Sequence, residues 1–156
     1  SATVALAVPI YKGWHLLKGR GIILSASLIA GGAVSIFSAV GFAALLGIPK
    51  DLLLPFYAKS VTAPIAMGVA ETIGASPTLT AVYAVSTGII GAILARYVLD
   101  FLKITQWWQR GFAIGVAAHG IGTSRAFSVN AEAGAFASIG MGLHGVVGAI
   151  MIPWIL

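Results

Sequence analysis

The chain has 156 residues, of which 59% are hydrophobic and only 8% charged. A soluble domain carries about 25% charged residues, so the composition excludes an ordinary soluble fold and places the chain in a bilayer, with length for roughly five or six segments of about 20 apolar residues. The net charge of +5 comes from scattered Lys and Arg rather than a basic stripe, which points to membrane orientation and away from nucleic acid, and the absence of Cys excludes disulfides and thiolate metal sites.

The opening "SATVALAVPIY" is apolar as far as Lys12. It is about half a span, so the sequence reads as N-terminally truncated. A basic stretch follows at 12–20, with Lys12, Lys18 and Arg20. Residues 21–49 carry no formal charge and predict a spanning helix over 22–47. Pro49 and Asp51 close that run and allow a new helix to start at Leu52.

The uncharged run 60–70 is too short to span and predicts an interrupted or re-entrant segment over 52–73. Its marker is "AKSVTAP", 58–64. Pro64 disfavours helix at Ala63, so the backbone should unwind near Thr62. Unwound backbone at membrane depth must be buried in protein or line a wet cavity. Lys59, Ser60 and Thr62 then make a candidate anion site, with Glu71 or a carboxylate ligand as the partner of the lysine. Alternatively, Lys59 snorkels to an interface and only anchors the segment.

Ser76 followed by Pro77 reads as an N-cap with proline in the first turn, opening a long helix over 78–104. A second basic stretch at 96–110 sets Arg96, Lys103 and Arg110 against Asp100. The positive-inside rule puts both basic stretches on the cytoplasmic side. An even number of crossings must therefore join them.

The uncharged run 111–124 is again short and predicts a second broken segment over 109–128. Its marker is "HGIGTSRAF", 119–127. Gly120 and Gly122 loosen a helix, and His119, Thr123, Ser124 and Arg125 gather donors. The Arg125 fork suits a carboxylate, although a purely orienting cytoplasmic arginine and a packing histidine at 119 remain open. Asn130 can cap a last helix over 131–155, with Glu132 in its first turn. His144 lies alone in that apolar helix and reads as a packing residue. The glycines at 111, 115, 140, 142, 145 and 148 offer small faces for helix contact.

At an offset of 60, "KSVTAPIAMGVAETIGA" from Lys59 lies over "HGIGTSRAFSVNAEAGA" from His119. Broken segments at corresponding places in two halves mark transporter folds, and one crossing per unit makes the repeat inverted. Enzyme patterns are lacking. No G-x-S-x-G elbow and no H-E-x-x-H pair occurs, and no cofactor or catalytic residue is expected. The fold class is an all-α integral membrane protein, a polytopic helix bundle with two interrupted helices.

"ATVALAVPIY", "KSVTAPIAM", "LTAVYAVSTGIIGA" and "AHGIGTSRA…EAGAFASIGMGL" together resemble the LrgB/CidB family of bacterial membrane proteins over the whole chain. Ala58 stands where the family often has Pro, and Ala63 where it often has Thr. The resemblance implies two functions. One is transport of small monocarboxylates such as pyruvate, glycolate or glycerate, since a plastidial glycolate/glycerate transporter is similar to a fusion of this family with its partner. The other is antiholin-like regulation of murein hydrolase activity and autolysis without transport. Both imply a multi-pass protein of the bacterial cytoplasmic membrane, a small holin-like partner of the LrgA/CidA type and a homo-oligomer. The residues Lys59, Ser60, Thr62, Pro64, Glu71, His119, Gly120, Gly122, Thr123, Arg125 and Glu132 form the candidate binding set.

Overall fold

A computed structural model describes residue 11 and residues 14–156. Residues 1–10 of the opening half-span 1–11, and Lys12 of the first basic stretch, lie outside the described residues. A 3-10 turn at Trp14–Leu17 leads to six helices: α1 Gly21–Leu45, α2 Lys50–Leu53, α3 Ala63–Thr72, α4 Pro77–Phe101, α5 Trp107–Val129 and α6 Ala131–Ile155. A second 3-10 turn, Leu54–Ala58, follows α2 directly. Helices α1, α4 and α6 have 25 residues each and are apolar enough to cross a membrane. At about 1.5 Å per residue each is about 37 Å long, more than a hydrocarbon core of about 30 Å.

The caps are those expected from the sequence. Ser76 Oγ accepts the Leu79 amide at 3.3 Å, with Pro77 in the first turn. Asn130 Oδ1 accepts the Ala133 amide at 3.0 Å. Helix α4 stops at Phe101 rather than running on to 104, because Lys103 takes a left-handed conformation (φ 56). Its amide turns back to the Asp100 carbonyl, which closes the last turn.

Two contacts fix the path. The Arg20 guanidinium lies 4.9 Å from the Trp108 ring centre, and Arg110 donates to Asp100 at 2.7 Å. The start of α1, the end of α4 and the start of α5 therefore share one end of the bundle. The two basic stretches meet there, as the charge asymmetry requires. The end of α1 and the start of α4 must lie at the other end, so residues 50–72 enter from that far end and return to it. Their path breaks at 59–62, where Thr62 is extended (φ −59, ψ 141) and caps α3. Pro64 sits in the first turn of α3, where its missing N–H costs nothing. It therefore restarts the helix after the break.

Helix α5 contains the second break. His119 has φ 39 and ψ −132, inside an otherwise helical run. The two arms, 107–118 and 120–129, fold back on each other. Ile114 packs against the cluster of Ala126, Ala133 and Ala137, and Arg110, Ile114, Arg125, Ala126 and Val129 line one cavity. In a straight helix Ile114 and Ala126 would be about 18 Å apart along the axis. Gly122 makes the fold-back possible, since a Cβ there would come 2.5 Å from the Ala118 Cβ. The turn falls on His119, and Gly122 acts by letting the arms touch.

Helix α6 then runs beside the first arm in the same direction. A Cβ at Gly111 would overlap the Ala133 carbonyl, and one at Gly115 the Ala137 carbonyl. Such close backbone approach is the packing that small residues allow in membranes. The order is thus span, hairpin, span, hairpin, span. The unit α1 with hairpin 50–72 and the unit α4 with hairpin 107–129 run in opposite directions, which is an inverted repeat.

Candidate functional site

Each hairpin tip reaches the middle of a long helix, the first at Ser35 of α1 and the second at Ala84 of α4. Tip one carries Lys59 and Ser60. The Lys59 ammonium donates to Ser35 Oγ at 2.8 Å and to Ser60 Oγ at 3.1 Å. The two hydroxyls share a hydrogen bond of 2.6 Å. Ser35 lies near the middle of α1, so Lys59 sits at depth and does not snorkel to an end. An ammonium has three donors, and one is left free by these two bonds.

The sequence offers Glu71 as a partner for this lysine. The structure leaves it exposed near the end of α3, and among the described residues the ion pairs are Arg96–Asp100 and Arg110–Asp100. The physical reason is direction. Helix α3 runs away from the tip, and Glu71 is in its last turn. Among the described residues Lys59 is therefore bonded by hydroxyls alone. Beside it, the N–H groups of Thr62 and Ala63 make no hydrogen bond among the described residues. They form the positive end of the ten-residue α3, which favours an anion.

Tip two carries His119, which is buried at 4% exposure. Its Nε2–H donates to the Ala84 carbonyl of α4 at 2.7 Å. The ring fits because Gly88 has no side chain, since a Cβ there would stand 2.5 Å from His119 Cε1. A non-glycine residue at positive φ costs about 1–3 kcal/mol and persists where its surroundings demand it. Thr123 is buried one turn further on, with the Met141 sulfur at 3.9 Å from its hydroxyl.

The other expected site residues lie apart. Gly120 is exposed with only the Met141 sulfur nearby, and Gly122 serves the hairpin contact. Arg125 is exposed, donates to Ser128 Oγ at 3.4 Å and lines a cavity at the basic end. Glu132 is exposed in the first turn of α6. The fold-back of α5 explains the separation. In a continuous helix Arg125 would lie beyond His119, deeper in the membrane, whereas the second arm returns it to the surface where the helix began.

Two residues join the centre that the sequence did not mark. Ser35 is one of several serines in α1, and nothing local distinguishes it. His144, read as packing, is 6% exposed, and its Nδ1 has no hydrogen-bond partner among the described residues. Gly32 makes room for it, with a Cβ position 3.0 Å from His144 Cε1. A solitary histidine in an apolar helix was the available signal. Ser35 and Ser60 face different cavities. Ser35 lines one of about 540 Å3 between α1 and α5, with Trp108 and Gln109. Ser60 lines one of about 460 Å3 between α1 and α6, with Tyr57 and His144. The Lys59–Ser35–Ser60 cluster thus links two cavities from the middle of the bundle.

The LrgB-like family model matches residues 1–156. The uncharacterized protein YwbG of Bacillus subtilis (strain 168) is 34% identical over 155 residues, which cover 99% of this chain and 69% of that protein. The Holin-like protein CidB of Staphylococcus aureus (strain N315) is 31% identical over 153 residues, covering 98% of this chain and 67% of that protein. No solved structure matches the chain. With its whole length matched and three helices able to span a bilayer, the chain is a membrane protein of the LrgB-like family.

Proposed function

We propose that this chain forms the core of a carrier for small monocarboxylates of the pyruvate, glycolate and glycerate class, not an enzyme. The observation that carries this reading is Lys59, held at an unwound hairpin tip by Ser35 and Ser60 with no carboxylate beside it among the described residues. An uncompensated ammonium at membrane depth costs about 2.5–3.5 kcal/mol on insertion scales. A passing carboxylate supplies the missing counter-charge, and the free amides at the start of α3 supply donors for its second oxygen. Broken helices at the centre of an inverted repeat are where carriers bind their substrates, and the cavities on either side of Ser35 and Ser60 provide approach from two directions.

The carrier works in a bacterial cytoplasmic membrane, as a homo-oligomer and with a small LrgA/CidA-type membrane partner. The test is uptake of labelled pyruvate, glycolate and glycerate by vesicles containing the protein, with and without that partner. Losing one charge-assisted bond to a bound anion costs about 1.5–3 kcal/mol, so Lys59→Gln should reduce uptake at least about tenfold while assembly persists. Equal uptake by Lys59→Gln and the unaltered protein would overturn the assignment.

A second reading follows from the name Holin-like protein CidB borne by relatives. In it the chain is an antiholin-like regulator of murein hydrolase activity that moves nothing. It predicts that Lys59→Gln changes autolysis of cells without any carboxylate uptake in vesicles of the unaltered protein.

A further inference from the structure

The hairpin 107–129 leaves a third cavity, at the basic end of the bundle. It measures about 440 Å3 and lies between the last turns of α4 and the two arms of the hairpin. Its rim carries Arg96, Arg110 and Arg125 against one acid, Asp100. Three positive charges against one negative leave a net +2 among the lining residues.

The three arginines are not equivalent. Arg110 is committed to structure. It donates to Asp100 at 2.7 Å and to the Ile104 carbonyl at 2.9 Å, and it packs over Trp107. Arg96 reaches Asp100 only through Nε at 3.7 Å and is otherwise exposed. Arg125 spends one nitrogen on Ser128. Arg96 and Arg125 thus turn uncommitted guanidinium donors to one cavity from α4 and from the hairpin. Below this rim the lining is apolar, with Ala92, Ile114 and Ala126.

We propose that this cavity binds the phosphodiester headgroup of an anionic phospholipid. A phosphate accepts the paired donors of arginine bidentately. Basic pockets between helices at the cytoplasmic face hold such headgroups. A small hydrophilic anion has no use for the apolar floor, whereas a glycerol backbone and its first methylenes do. This cavity shares no lining residue with the Lys59 cluster, so the proposal stands apart from the carrier reading.

The test uses tryptophan quenching, because Trp107 lines the cavity. The protein is placed in phosphatidylcholine vesicles with a few mole per cent of brominated phosphatidylglycerol. Quenching should exceed that given by the same fraction of brominated phosphatidylcholine, and Trp107→Phe should remove the excess. The double variant Arg96→Gln, Arg125→Gln should weaken the preference about 30-fold, the equivalent of about 1 kcal/mol for each arginine near a membrane surface. Circular dichroism of that variant checks that it folds, and its structural arginine is untouched. Millimolar glycerol 3-phosphate should leave the excess in place. Equal quenching by both brominated lipids, or an unchanged preference in the double variant, overturns the proposal. Loss of the excess on adding glycerol 3-phosphate also overturns it, in favour of a site for soluble phosphate esters.

Discussion

Lys59→Met separates a functional lysine from a structural one. The substitution keeps most of the side-chain volume and removes the ammonium. Two opposing terms act on that group. Holding the charge at depth costs about 2.5–3.5 kcal/mol. Its bonds to Ser35 and Ser60, at 2.8 and 3.1 Å, return about 1.5–3 kcal/mol each. Together the two bonds return about 3–6 kcal/mol, which at mid-range exceeds the cost by about 1.5 kcal/mol, and the 2.6 Å bond between Ser35 and Ser60 keeps both hydroxyls satisfied once the lysine is gone. Lys59→Met should therefore change stability by less than about 2 kcal/mol. A lysine in a buried ion pair would behave otherwise, since breaking such a pair costs about 3–5 kcal/mol. Ligand linkage supplies the contrast. A bound carboxylate at 100 times its dissociation constant stabilises the fold by about 2.7 kcal/mol, so millimolar pyruvate, glycolate or glycerate should raise the unfolding temperature of the protein in detergent. In Lys59→Met that rise should vanish. A loss of more than about 3 kcal/mol without ligand would show that Lys59 is a structural group with an acid partner. A ligand-induced rise that survives the substitution would show that the anion binds elsewhere.

Three further outcomes follow from the packing. Gly115→Ala drives a methyl into the Ala137 carbonyl and should destabilise the α5–α6 contact by about 1–3 kcal/mol or more, read by denaturant titration in micelles; an unchanged midpoint would refute the close approach of those helices. His144→Leu removes a buried nitrogen that lacks a partner, a deficit of about 1–3 kcal/mol, so stability should hold or rise; a clear loss would reveal a partner for that ring. Because the chain has no Cys, single cysteines at Lys18 and Lys103 should be labelled from one side of the membrane and one at Asp51 from the other, and labelling of Lys18 and Lys103 from opposite sides would refute the hairpin path.

The long helices were legible because lipid imposes a one-dimensional rule. An uncharged run either reaches across the hydrocarbon or falls short, and the runs 21–49, 72–95 and 133–156 became the three 25-residue helices. The short runs 60–70 and 111–124 became the two hairpins for the same reason. Local chemistry also marked the first break, where Pro64 suits the first turn of the restarted α3, although Ala63 is helical and not unwound, and the caps at Ser76 and Asn130, whose side chains bond backbone three residues on. The offset of 60 that laid Lys59 over His119 matched the two hairpin tips.

The membership of the site was not local and could not be read the same way. Arg125 is six residues from His119, yet a single backbone conformation at His119 carries it back to the surface and away from Lys59. Glu71 is close to Lys59 in sequence but lies at the far end of a helix that leads away from the tip. Ser35 carries no local signal and His144 only that of a solitary histidine in an apolar helix, and they reach the centre only because α1 and α6 pass the tips at their midpoints. Sequence determined the spans, the breaks and the caps, since each follows from a few neighbouring residues and the thickness of the bilayer. Only the tertiary structure decided which polar groups meet, because that depends on the direction of each hairpin arm and on where glycines 32, 88, 115 and 122 let backbone and ring atoms come together.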